Sequence, residues 1–136
     1  MVVRARAFNI EKDYDMIFTW WRAHGSFPPK REQLPSTGVV VEVNDKPVSA
    51  GFLYQTDSTI CVFEFVVCDP KAGKGERDLS LTKLITSIQN LANAMGYNLI
   101  YSSVKHKKYI SRLDEEGFIK ADENQVHMFY EVKEDD

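Results

Sequence analysis

The sequence predicts a single α+β domain over residues 1–136, built as a mixed, mostly antiparallel central sheet of six to seven strands with helices on both faces. Three observations carry that reading. Short apolar or alternating segments are separated by turn residues, which is the spacing of strands. From Leu81 to Met95, apolar residues recur at three- and four-residue steps, the period of a helix packed on one side. That helix falls between two strand patterns, and a strand–helix–strand unit joins parallel neighbours through a right-handed crossover. At 136 residues the chain fits one domain. Folding at that size removes roughly two-thirds of the unfolded surface from water, so a core forms without metals or disulfides.

The elements follow in order. Residues 2–8 alternate and read as the first strand. A helix follows, with Asn9 or Asp13 as its cap and Gly25 as its stop. Tyr14, Ile17, Phe18 and Trp21 share one face of it, with Met16 and Trp20 alongside. Two adjacent tryptophans are not expected to point into one core stripe. Residues 26–37 hold Pro28, Pro29 and Pro35 and cannot form regular helix or strand. Residues 38–43 and 47–55 are the arms of a hairpin turning at Asn44-Asp45-Lys46. Residues 60–68 form a very apolar strand whose one charge is Glu64. The long helix begins near Arg77 and stops at Gly96. Residues 98–104 read as a strand, 106–116 as a short helix closed by Gly117, and 126–132 as the final strand. The tail from Lys133 onward is charged and expected to fray.

Composition narrows the function classes. The net charge of −3 and a pI near 5.6 argue against nucleic-acid binding, which calls for a basic field. The one basic cluster, Lys105, Lys107 and Lys108 around His106, reads as a solvated helix start. No stretch is apolar for long enough to span a bilayer, and residues 1–6 lack the pattern of a signal peptide, so no membrane partner is expected and the expected location is the cytoplasm. Cys61 and Cys68 lie seven apart in one strand pattern. Strict alternation sends them to opposite faces, so they are expected to stay reduced. No cysteine–histidine cluster has zinc spacing, and no metal is expected.

After the fourth strand the chain reads Val67-Cys68-Asp69-Pro70-Lys71-Ala72-Gly73-Lys74-Gly75-Glu76-Arg77. A glycine turn that opens a helix presents backbone N–H groups, and the positive end of a helix dipole, to an anion. The strand, proline, Gly-x-Gly and helix resemble the acyl-CoA loop of the GNAT superfamily of acetyl-CoA-dependent N-acetyltransferases. The element order resembles that fold over nearly the whole chain. Two positions depart from the family pattern. The arginine or glutamine before the glycines is missing, with Lys71 and Ala72 in its vicinity, and the loop is shorter than the family's, with Glu76 setting an anion at the helix start. Lys71, Lys74 and Arg77 offset that charge.

The resemblance implies acetyl-CoA as cosubstrate. It implies contacts from Val66, Val67 and Cys68 at the strand end, from Lys71, Gly73, Lys74, Gly75 and Arg77 in the loop, and from His106 at the family's asparagine position. It implies a general base at Glu64, six residues before Pro70. A carboxylate on so apolar a strand is costly unless solvated or paired, and burial raises its pKa toward the range a base needs. The alternative is a salt bridge to a neighbouring cation. Gly117-Phe118 matches the family's Gly-Phe pair, but Leu113 stands where the family carries the tyrosine that protonates the leaving thiolate. Tyr109 lies one helical turn earlier on a similar face. It is either the substitute acid or a half-buried packing residue.

The resemblance also implies that the first helix and following loop line an acceptor groove, with Trp20, Trp21, His24 and Phe27 as its walls. The alternative is that these residues are core. The tryptophan pair, the proline-rich loop and Gly51-Phe52-Leu53-Tyr54 resemble small GNAT-like proteins of phages and prophages, which implies a host cytoplasm. Two functions follow. One is an N-acetyltransferase acting on an amine-bearing small molecule or protein. The other is a catalytically degenerate GNAT-fold protein that binds a CoA-like ligand or a partner protein. The free edge of residues 126–132 is open to a second copy, so a homodimer is one outcome.

Overall fold

In a computed structural model the protein is described over residues 1–133; the expectation for the rest of the tail lies outside the described residues. Among them are five strands and three α-helices: β1 (Val3–Ala7), α1 (Ile10–Ala23), β2 (Gly38–Val43), β3 (Lys46–Tyr54), β4 (Ile60–Cys68), α2 (Lys74–Ala94), β5 (Leu99–Tyr101) and α3 (Lys107–Glu115). The sheet order equals the chain order, β1-β2-β3-β4-β5. The first four strands pair antiparallel and β4 pairs parallel with β5, joined through α2.

Local chemistry fixes most boundaries. Asn44 and Asp45 take φ of 51° and 66°, the paired positive values of the tight turn that matches strand twist. Asn9 and Asp13 both cap α1. The Asn9 side chain accepts from the Glu11 and Lys12 N–H groups, and Asp13 Oδ2 accepts from the Asn9 N–H at 2.8 Å. Arg6 of β1 clamps this end, reaching both Asp13 oxygens and Glu42 of β2. Burial pushes the Asp13 carboxyl up, but the Arg6 guanidinium and the Asn9 N–H hold it below its ordinary value. Gly25, Gly96 and Gly117 have positive φ just past the helices they end.

The sheet divides the core. On one face α2 lays Leu84, Ile85, Ile88 and Ala92 on Val39, Val41, Leu53, Cys61 and Phe63. On the other, Tyr14, Ile17, Trp20 and Trp21 of α1 meet Val40, Ala50, Phe52 and Val67. Helices therefore cover both faces, as expected. The strand count is five, not six to seven. Residues 126–132 form no strand and stand exposed, and the strand expected over 98–104 shortens to Leu99–Tyr101. Alternation alone does not make a strand; it also needs a neighbour's free backbone.

Candidate active site

The site begins where β4 stops being regular. Ala50 of β3 faces Val67 and Phe52 faces Glu64, so Gly51 alone spans the two residues Phe65 and Val66. This is a β-bulge. Phe65 takes φ of 58°, a left-handed conformation that costs an aromatic residue about 1–3 kcal/mol. Packing holds it there. Its ring lies 6.2 Å from that of Trp21 and 6.0 Å from that of Tyr54. The glycine opposite is required, because a Cβ on Gly51 would sit 2.8 Å from the Phe63 ring.

The extra residue shifts the alternation by one. Val66 now packs with the cluster under α2, while Phe65 and Val67 pack with α1. Val66 therefore does not share the Glu64 face, contrary to strict alternation. The same shift sends Cys68 to the face of Cys61 rather than the opposite one. They still lie seven positions apart along the strand, and both thiols are free.

On its other side β4 loses its neighbour. Pairing with β5 ends at Val62 and Tyr101. Beyond that point the Ser102 hydroxyl, not a backbone N–H, donates to the Phe63 carbonyl at 2.7 Å. The Ser103 N–H donates to Glu64 Oε1, also at 2.7 Å. β4 then runs without a strand neighbour on that side through the bulge to Cys68, while β3 stays paired with it on the other. Its strand-end backbone lies between Glu64 below and the start of α2 above.

Glu64 makes no salt bridge among the described residues. Burial pushes its carboxyl above the ordinary value, opposed by the hydrogen bonds from Ser103 and by the charge of His127. Tyr109 enters from α3. Its hydroxyl is buried without a hydrogen-bond partner. Burial raises its pKa, and the negative charges of Glu64 and Cys68 add to the effect. An orphaned hydroxyl is uncommon, since a buried polar group without a partner costs about 1–3 kcal/mol. Burial and then Glu64 push the Tyr54 phenol up to about 12. The Cys68 thiol is pushed up to about 11, chiefly by burial, and is no nucleophile at neutral pH.

The glycine turn forms the upper wall. Asp69 Oδ1 accepts from the Lys71 N–H at 2.9 Å and tightens the turn out of β4. Gly73 is the N-cap of α2, and no side chain caps the helix there. Its first-turn N–H groups thus keep their donors available. Gly73 has negative φ and Gly75 lies within α2. A Cβ on Gly73 would come no nearer than 3.6 Å to the Glu76 side chain, and one on Gly75 would meet nothing. Neither glycine serves a strained backbone or an internal contact. Both leave room outside the protein, over the helix start. Lys71 and Lys74 stand exposed beside it, and Arg77 is half-buried.

The remaining sequence-selected residues divide. Trp20 and Trp21 lie in the core, 6% and 3% exposed, rather than on a groove wall. Residues 26–37 explain why, because they fold back over α1, with the Tyr14 hydroxyl donating to the Pro29 carbonyl. The helix is thus buried on two sides. His24 stays exposed, and its Nε2 lies 2.9 Å from the Cys68 carbonyl, tying the end of α1 to the site. Phe27 is exposed in the loop. His106 is the N-cap of α3 and makes no capping hydrogen bond. Sequence reading missed Phe65, Gly51, Ser102 and Ser103. A serine pair closing a short strand is the one visible signal among them. A cavity of about 440 Å³ lies elsewhere, under Phe8, Ile10, Leu34 and Pro35 at the start of α1. Arg31 on its rim is already stacked on Tyr14 and paired with Asp15.

The sequence matches no protein-family model and no curated protein. Solved structures do match. The ribosomal-protein-S18-alanine N-acetyltransferase of Escherichia coli superposes with a TM-score of 0.70 at 15% identity, over 89% of this chain and 80% of that one. The Mycobacterium tuberculosis protein Rv2747, solved in complex with CoA, gives 0.69 at 16% identity over 91% and 76%. An aminoglycoside acetyltransferase from an uncultured soil metagenomic sample gives 0.63 at 15% identity over 96% and 97%. The chain has the fold of the GNAT acetyltransferases.

Proposed function

We propose that the protein is an N-acetyltransferase that moves an acetyl group from acetyl-CoA to an amine on a small molecule or protein. The observation that carries this reading is the pair of polar groups beside the β4 bulge: a desolvated carboxyl on Glu64, held by Ser103 and by no cation among the described residues, and a buried, partnerless hydroxyl on Tyr109. A structural salt bridge would have satisfied Glu64, and a packing tyrosine would have pointed its hydroxyl to a partner or to water.

The residues fit the cosubstrate. Uncapped N–H groups at the start of α2, the room over Gly73 and Gly75, and Lys71, Lys74 and Arg77 suit a pyrophosphate. The edge of Val66 to Cys68 turned away from β3, which has no strand neighbour, suits a thioester carbonyl. Acetyl-CoA supplies an acetyl group activated as a thioester. The chain supplies position and proton handling. Glu64, directly or through water, takes the proton that an ammonium must lose before it can attack. Tyr109, held protonated by burial, keeps a proton at its hydroxyl for the sulfur that leaves. No covalent enzyme intermediate is needed. Neutral pH suits the acid's role, since a phenol raised by burial stays protonated there.

Calorimetric titration with acetyl-CoA and with free CoA tests the reading, followed by thiol release over a panel of polyamines, aminoglycosides and peptides. The expected result is micromolar binding and amine-dependent release of CoA. Absence of binding up to millimolar ligand overturns it.

A further inference from the structure

Glu64 leaves the sheet among aromatic rings. Phe52 of β3 stands directly opposite it, so both side chains lie on the face that α1 covers. Tyr54, two residues further along β3, takes the same face, and the bulge turns Phe65 onto it as well. The Phe65 ring lies 6.0 Å from the Tyr54 ring, tilted by 55°, and 6.2 Å from the Trp21 ring, at 75°. Trp21 in turn lies 6.3 Å from Phe52. The four rings make one wall. Phe52 and Trp21 are its buried backing, while Tyr54, Phe65 and Glu64 are only half-buried. The Tyr54 hydroxyl donates to the Gln33 carbonyl at 2.9 Å, which ties its ring to the loop. Glu64 stands near enough to this ring for its charge to act on the phenol.

A carboxylate beside aromatic faces attracts a cation twice, through its own charge and through the negative faces of the rings. The fold places no ion-pair partner there, since Glu64 forms no salt bridge among the described residues. His127 acts on it only at a distance. The surrounding walls carry no second carboxylate. Residues 33–38, 47–54 and 99–104 are uncharged, and Glu64 is the one charge of β4. On the far side α3 opens with exposed Lys107 and Lys108, after exposed Lys105.

An acceptor must match that pattern. Its first ammonium pairs with Glu64. A second ammonium would give up water on walls that offer it no carboxylate, with lysines of like charge beyond them. The hydroxyls of a sugar would lose water against rings that cannot replace those hydrogen bonds. An unbranched alkyl stem loses nothing on such a wall and covers apolar surface.

We infer that the acceptor is a primary alkylammonium with a single positive charge and an apolar stem, its nitrogen paired with Glu64 against the rings of Tyr54 and Phe65. This rests on the acetyltransferase reading, and the experiment separates the two. Thiol release from acetyl-CoA by the full chain is measured with n-hexylamine, spermidine and the aminoglycoside sisomicin at one pH. The expected kcat/KM for n-hexylamine exceeds that for either polycation by about tenfold or more. Tyr54→Leu should raise the KM for n-hexylamine about tenfold, the loss falling on KM rather than on kcat or CoA affinity. Tyr54→Phe, which restores the ring without the hydroxyl, should recover most of that loss. A kcat/KM for spermidine or sisomicin equal to or above that for n-hexylamine overturns the inference and leaves the acetyltransferase reading standing. So does a Tyr54→Phe variant as impaired as Tyr54→Leu, which would assign the effect to the bond with Gln33. Absence of CoA binding overturns both.

Discussion

The two halves of the candidate site rest on opposite physics. The cradle from Pro70 to Arg77 is open, charged and built largely of backbone, and its glycines are bound by no internal contact. The cleft around Glu64, Phe65 and Tyr109 is desolvated and aromatic, held by side chains packed into both cores. In the cradle the fold withholds nothing from itself. In the cleft it leaves a strained residue, a desolvated carboxyl and an orphaned hydroxyl, each of which weakens the folded state. Such a division separates holding a ligand from acting on it, and substitutions in one half should leave the other intact.

The largest expected effect tests the cleft. Glu64→Gln keeps an acceptor for the Ser103 N–H but removes the base, so turnover should fall by about 10²–10⁴ while CoA affinity stays unchanged. Its stability should move the other way. A carboxyl whose folded pKa is raised favours the fold while protonated, and that contribution is lost as pH climbs from its ordinary value of 4.5 through the raised value. The thermal midpoint of Glu64→Gln should therefore gain on that of the parent as pH rises through this window. A constant difference would show that Glu64 is not desolvated.

The next effect tests the cradle. Gly73→Val or Gly75→Val fills the room over the α2 start, and acetyl-CoA should bind about a hundredfold more weakly, a loss near 2.7 kcal/mol. Circular dichroism and melting should show the fold intact, because neither side chain meets protein atoms that must move. Unchanged affinity in both would merge the two halves by placing the ligand elsewhere.

The smallest effect sharpens the contrast within the cleft. Tyr109→Phe removes a buried hydroxyl that has no partner and should stabilise the protein by about 1 kcal/mol. If the hydroxyl also donates a proton, turnover should drop about tenfold in the same variant, with water as a poorer substitute. Denaturant unfolding beside steady-state kinetics reads both. A gain in stability with no loss of turnover would make Tyr109 a packing residue.

Much of the frame was legible because its signals are local. Asn44-Asp45 chose its turn, Gly25 and Gly96 ended their helices, and the periodicity of Leu84, Ile85 and Ile88 placed α2 on the sheet. The glycine turn was legible as a place, and Glu64 and Tyr109 as residue types on plausible faces. What escaped reading was non-local. Nothing in Phe63-Glu64-Phe65-Val66 marks an extra residue, since the bulge is set by Gly51 and by rings from α1 and β3. Trp20 and Trp21 are both buried because a later loop covers the helix. Residues 126–132 have the pattern of a strand, but no pattern within a segment names the edge it will join.

The agreement of sheet order with chain order has a consequence for assembly. Each strand's hydrogen-bonded neighbour is the strand made just before it, so the sheet can be laid down in the order of synthesis without threading or waiting for a distant partner. The β1–β2 and β4–β5 pairs each have a helix in between, α1 and α2. Contacts closed over short stretches of chain favour fast folding. The slow steps should be the closures of these two longer-range pairs, and the second of them is also the step that opens the cleft.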